Sequence, residues 1–173
     1  MSDTLTKRAS KGLSGKVKVA GFGGPTVKNS GGGVVSFCVG RPTGKSAALS
    51  FTPSQLIEVI QVGLPVQELK DLQESLAVPM EQLVPMLGIS KATLHRRMAG
   101  GRLGAAESDR VVRFARLMGK AAEVMESEEN ARRWLTSPQF GLGGAVPLDY
   151  AETEVGAREV EDLLGRIEYG VYS

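Results

Sequence analysis

The 173-residue sequence is poor in the residues that most often carry chemistry. It holds one cysteine, Cys38, and one histidine, His95. A single cysteine rules out an intrachain disulfide and fits a reducing compartment. One Cys and one His far apart in sequence give neither a zinc ligand set nor a Cys–His pair for nucleophilic attack. No metal and no cofactor are therefore expected. Aromatic residues make up only 5% of the chain, whereas hydrophobic residues make up 42%. The core must then be built from Leu, Val, Ala, Ile and Met, without long β-branched runs, and this favours packed helices over sheet. No apolar run approaches the eighteen residues of a membrane span. The run Val34 to Val39 is too short and too far along for a secretory leader. The expectation is a cytoplasmic chain with no membrane partner and no small-molecule substrate.

Charge is unevenly spread. The formal total is +2, yet residues 1–50 carry +7, residues 51–79 carry −3, residues 80–120 carry +5 and residues 121–173 carry −7. Such a division implies two kinds of partner: a polyanion for the basic middle and a less acidic surface for the tail end. Residues 1–50 also hold ten of the 22 glycines. A segment of that composition buries too little apolar area to offset its ordering entropy. It is expected to be a flexible, basic, glycine-rich arm, disordered apart from a weak strand at Val34–Val39. The arm either adds nonspecific attraction to phosphate or has no role.

Helical patterning starts after residue 50. Thr52-Pro53-Ser54 reads as a helix start with Pro53 at the first helical position. Leu56, Ile57 and Ile60 follow at helical spacing, and Gly63 stops that helix. Pro65 opens another, with Val66, Leu69, Leu72 and Leu76 on one face. The central signal is Met80-Glu-Gln-Leu-Val-Pro-Met-Leu-Gly-Ile-Ser-Lys-Ala-Thr-Leu-His-Arg-Arg-Met98, read as helix, turn, helix. Gly88 suits the left-handed end of the first helix, and Ser90 suits the N-cap of the second. Pro85 removes a backbone donor inside the first helix, which must kink or end early. Leu94 and Met98 would turn the second helix inward and leave Thr93 and Arg96 outward, flanked by Lys91, His95 and Arg97. A second helix offering polar residues is how such motifs read the major groove, with Arg on guanine and Lys or Ser on phosphate. In the next helix Val111, Phe114, Ala115, Met118, Ala122 and Met125 form an apolar face. Arg113, Arg116 and Lys120 lie opposite, with Arg110 at the edge. The DNA-contacting set is therefore Ser90, Lys91, Thr93, His95, Arg96, Arg97, Arg113 and Arg116. An ordinary helical hairpin with a solvated basic face fits the spacing as well.

An enzyme reading is weak. Gly40-Arg-Pro-Thr-Gly-Lys-Ser46 has three residues where a phosphate loop needs four, and no helix-forming stretch follows it. Gly21-Phe-Gly-Gly24 is weaker still. Trp134 fits a core anchor beside Leu135, and Gly141–Pro147 reads as a loop turning the chain toward a last helix. In that helix Ala157, Val160, Leu164 and Ile167 make a buried stripe, Gly170 is a left-handed stop, and Glu154, Glu159, Glu161, Asp162 and Glu168 make the surroundings anionic.

Residues 80–173, and more loosely 52–79, resemble the Xre antitoxins of RES–Xre toxin–antitoxin systems, relatives of ParS and MbcA. The residues that carry the resemblance are Gly101-Arg-Leu-Gly-Ala-Ala-Glu-Ser-Asp-Arg-Val-Val-Arg-Phe-Ala-Arg-Leu117, Ala131-Arg-Arg-Trp-Leu135, Gly143-Gly144, Pro147-Leu-Asp149 and the run from Thr153 to Ser173. The resemblance implies an all-α, non-enzymatic protein. Its helix-turn-helix (80–99) would lie in a DNA-binding and dimerisation region (51–126), followed by a toxin-binding region (127–173). It also implies a homodimer that represses its own operon and neutralises a RES-domain toxin that degrades NAD. The partners would be that toxin and operator DNA. Glu168, Tyr169, Gly170, Val171, Tyr172 and Ser173 would then cover the toxin's NAD pocket. A pyrophosphate site must offer positive groups, and aromatic residues commonly anchor interfaces. A Tyr169 packed into the chain's own core is the bland alternative for that residue. A helix-turn-helix repressor without a toxin partner is the alternative for the whole.

Overall fold

The computed structural model describes residues 33–40 and 51–171, and within them every regular element is helical. They are α1 (Val34–Val39), α2 (Pro53–Val62), α3 (Gln67–Leu76), α4 (Met80–Met86), α5 (Lys91–Gly100), α6 (Ala105–Val124), α7 (Glu128–Leu135), α8 (Pro147–Tyr150) and α9 (Glu154–Glu168), with a single 3-10 turn at Phe140–Leu142.

Helix α6 is the spine. At 20 residues it runs for roughly 30 Å, and Val111, Val112, Phe114, Ala115, Leu117, Met118 and Ala121 are all buried on it. An apolar residue at almost every turn lets α6 meet neighbours on several sides, and α1, α2, α3, α7 and α9 all pack against it. The sequence had assigned one apolar face; the structure surrounds the helix more fully. The buried stripes expected on α3 (Leu69, Leu72, Leu76) and α9 (Ala157, Val160, Leu164) join the same core, with Ile167 half-buried at the stripe's end. Helix α2 starts as the residues predict: Pro53 follows Thr52, whose hydroxyl accepts from the Gln55 amide while the Gln55 side chain accepts from the Thr52 amide.

The weak strand expected at Val34–Val39 is a helix instead. β-Propensity is a poor guide where packing decides. Val34, Val35 and Val39 fall on one helical face and are buried against α3 and α6. The Glu68 carboxylate of α3 accepts the Val34 and Val35 amides at 2.9 Å each, satisfying helix-start donors that Gly33 cannot cap. The rest of the 1–50 arm, including the Gly40–Ser46 motif beyond Gly40 and the Gly21–Gly24 pair, lies outside the described residues.

A short antiparallel clasp joins the α2–α3 junction to the α5–α6 junction. The Leu103 amide donates to Leu64 O (2.8 Å), the Val66 amide to Gly101 O (3.1 Å), and the Arg102 guanidinium to Gly63 O (2.8 Å). Fully buried Ser108 accepts the Leu64 amide at 2.8 Å. This clasp fixes where α5 leaves the core.

Candidate DNA-contacting and toxin-contacting surfaces

Helix α4 ends at Met86, and Pro85 sits exposed in its last turn. Pro85 removes the one donor that would bond Glu81 O, and the helix stops one residue later. Gly88 takes φ +61°, and the Ile89 amide closes back on Val84 O at 3.0 Å, so the left-handed stop falls where Gly permits it. Leu87 and Ile89 are buried in the turn. From α6, Arg110 donates to Leu87 O at 2.9 Å and ties the turn down.

Ser90 caps α5, accepting the Thr93 amide at 3.1 Å and donating to the Thr93 hydroxyl at 3.0 Å. Helix α5 has no acidic residue in its first turn and begins with Lys91, so its positive end stays available to an anion. None of its side chains is buried. Leu94 is half-buried against the core, but Met98, expected to point inward, is 48% exposed. The last turn of α5 extends past the core, and Leu94 alone supplies the apolar contact. A salt bridge does the remaining holding: Arg97 Nε donates to both Glu107 oxygens, at 3.1 and 2.8 Å. Burial alone would raise the Glu107 carboxyl. The hydrogen bond from Arg97, the Gly104 amide and the charges of Arg97 and Arg96 outweigh it and hold the group below the usual range.

The predicted DNA-contacting residues thus divide. Lys91, His95 and Arg96 are exposed on α5, and Arg116 is exposed on α6. Ser90 and Thr93 are occupied in the cap, and Arg97 in its salt bridge. Arg113 is not part of an open basic stripe. Its side chain is 16% exposed, and it bridges Asp109 at 3.0 Å and Glu154 of α9 at 3.1 Å. Lys120 is likewise paired with Glu168. Three of the four cations expected along α6, namely Arg110, Arg113 and Lys120, fasten neighbouring elements, an outcome that helical spacing alone does not reveal.

At the other end of the molecule, Lys120 holds the last turn of α9 through Glu168. Tyr169 then stands 80% exposed, so the alternative of a core tyrosine is excluded. Gly170 adopts φ +67°, and Val171 is 54% exposed. Tyr172 and Ser173 lie outside the described residues. Trp134 packs half-buried against the core, as its neighbour Leu135 suggested. Cys38 is a free thiol that burial pushes up to about 11, so it stays protonated and is a poor nucleophile at neutral pH. No group of three or more His, Cys, Asp or Glu able to hold a metal occurs among the described residues. No helix there is long and apolar enough to cross a membrane.

Sequence reasoning missed Glu68 as a helix cap, Ser108 as a buried acceptor, and the guanidinium of Arg132, which donates to Ser75 O at 2.7 Å. All three act between elements far apart in sequence, where local pattern carries no signal.

Two families match in tandem. Residues 55–116 match the antitoxin Xre-like helix-turn-helix domain, and residues 120–170 match the antitoxin Xre/MbcA/ParS C-terminal toxin-binding domain. "Antitoxin Xre" of Yersinia enterocolitica is 35% identical over 120 residues, covering 68% of this chain and 81% of that protein. "Antitoxin Xre" of Photorhabdus laumondii is 33% identical over 117 residues, covering 66% and 79%. "Prs ADP-ribosylating antitoxin" of a Sphingobium species is 27% identical over 142 residues, covering 76% and 89%. The two Xre relatives are named as antitoxins and not as enzymes. An all-helical body with an exposed, capped second helix at one end and an exposed aromatic tail at the other belongs, with these similarities, to the Xre antitoxin family.

Proposed function

We propose that this chain neutralises a RES-domain, NAD-degrading toxin with its C-terminal segment and represses its own operon through α5, acting as a homodimer in the cytoplasm. The observation that carries the toxin half is the end of α9. The Lys120–Glu168 pair fixes the last helical turn, and Tyr169 and Val171 project beyond it with most of their surface free. A fixed base with a protruding aromatic suits insertion into a pocket, because little further ordering is needed on binding. The helix-turn-helix half supports the operator contact. Lys91, His95 and Arg96 offer donors to DNA, Arg116 adds a phosphate contact, and Arg97 and Arg113 position helices and stay off the nucleic acid. Exposed Ile57, Val62 and Met98 in this half would meet a second copy, and two recognition helices about 34 Å apart would read successive half-sites.

Two experiments separate the halves. Co-expression with a RES-domain toxin, followed by measurement of cellular NAD, tests neutralisation. Full-length chain should preserve NAD, and a chain lacking residues 169–173 should not, while its operator binding is retained. Full protection by the shortened chain would overturn the plug. For DNA, Arg96→Ala should cost about 1–3 kcal/mol on the operator alone if it reads a base. An equal loss on all sequences would assign it to phosphate.

A further inference from the structure

We infer that Phe140 is a second anchor for the toxin, seated in an apolar pocket of that protein away from the site that the Tyr169 tail enters. This rests on the toxin-binding role of the C-terminal domain. The ring of Phe140 is 99% exposed, the most exposed large hydrophobic side chain among the described residues. Single exposed apolar residues are ordinary on protein surfaces. What sets this one apart is the fixed backbone that presents it.

The loop around Phe140 is closed by its own hydrogen bonds. The Gln139 amide donates to Ala145 O (3.0 Å), and the Gly144 amide returns to Gln139 O (2.9 Å). The Leu142 amide also donates to Gln139 O (3.1 Å), and the Gly143 amide to Phe140 O (3.0 Å). The Gln139 side chain donates backward to Trp134 O (2.9 Å) and Ser137 O (3.0 Å), fastening the loop to the end of α7. Leu142 is buried beneath it. Gly141 lies so close to α9 that a Cβ there would come within 2.6 Å of Leu163 Cδ1. The segment on both sides of Phe140 is therefore held to the core while the ring is left in water. A preformed aromatic at the tip of a rigid loop loses little freedom when buried by a partner.

The neighbourhood says which partner. The loop rests on Leu163 of α9, whose helix neighbours at 159 and 162 are the exposed acids Glu159 and Asp162. Tyr169 lies six residues further on, about 9 Å along the helix axis. Arg166 lies between the two and Tyr169 is turned about 120° around the axis from Leu163, so it is at the loop itself that a partner covering Phe140 meets the two acids, Glu159 and Asp162. The complementary surface is an apolar pocket rimmed by basic side chains, on the protein that the 120–170 domain binds.

The test measures the affinity of purified antitoxin for a catalytically inactive RES-domain toxin by calorimetry, with operator binding, melting temperature and sedimentation read in parallel. Phe140→Ala should weaken toxin binding fivefold or more, with fold and operator affinity unchanged, and Phe140→Leu should recover part of the loss. A loss below fivefold for Phe140→Ala overturns the inference. So does a variant that binds toxin normally but no longer self-associates, which would assign the ring to a second copy of this chain. If wild-type chain fails to bind the RES-domain toxin, the proposed function falls first, and the same measurement shows this separately.

Discussion

Helices α5 and α9 are tied toward opposite ends of α6 and are held there differently. Helix α9 buries Gly156, Ala157, Val160 and Leu164 against the core. Helix α5 buries no side chain and relies on half-buried Leu94, the Ser90 cap, the clasp beyond Gly101 and the Arg97–Glu107 bridge. One surface rests on apolar packing with ion pairs to Arg113 and Lys120 added at either end of the helix, the other on polar fasteners around an exposed rod. Packing gives stability, while polar fasteners give orientation and leave side chains free for an external partner.

The contrast is broken most severely within α9. Leu164→Ala removes a fully buried side chain and should cost about 2–5 kcal/mol in global stability, measured by denaturant unfolding, with toxin binding and operator binding both declining as the common core loosens. Glu107→Gln should cost less, roughly 1–3 kcal/mol, because it removes a charge-assisted hydrogen bond. Its effect should be local: operator affinity falls and toxin affinity stays. An equal loss of both would contradict the division between packed and fastened ends. A smaller, pH-dependent effect follows from two carboxylates with opposite tendencies. Glu107 is held below its ordinary value of 4.5, so its stabilisation is complete above that value and is lost as pH falls through the lower folded value. Burial raises Glu68, against the opposing hydrogen bonds of Val35 and Val34, so its contribution is complete below 4.5 and is lost as pH rises through the higher folded value. Melts of wild type and Glu107→Gln should therefore converge in acid, whereas Glu68→Gln should gain on wild type as pH rises above the carboxylate range. The smallest effect belongs to Arg133→Ala. With side chains 71% and 80% exposed, the Arg133–Glu129 pair is worth about 0–1 kcal/mol, and melting should barely move.

Much of this architecture was legible in the residues. Thr52-Pro53, Gly88, Ser90 and Gly170 each act locally, and local chemistry was enough to place them. The buried stripes of α3 and α9 followed from helical spacing. What the sequence hid is what two distant elements decide together. Val34–Val39 looks β-prone by itself, yet Glu68 and the apolar sides of α3 and α6 make it a helix. Arg113 and Lys120 look like a phosphate-facing stripe until α9 arrives with Glu154 and Glu168 to pair with them. Met98 follows the inward spacing of Leu94, but among the described residues no element lies over the last turn of α5 to cover it. At the candidate site, exposure is a property of the whole molecule, so Lys91, His95, Arg96 and Tyr169 could be nominated from sequence but only the structure leaves them free.

The two family matches meet inside α6, between residues 116 and 120. A rigid rod therefore sets the angular phase between the helix-turn-helix domain and the toxin-binding domain. Each residue inserted into its middle would swing one side about 100° around the axis and push it 1.5 Å along. Hybrid antitoxins joined at that seam can keep both partners in register only if the helix length is preserved to the residue.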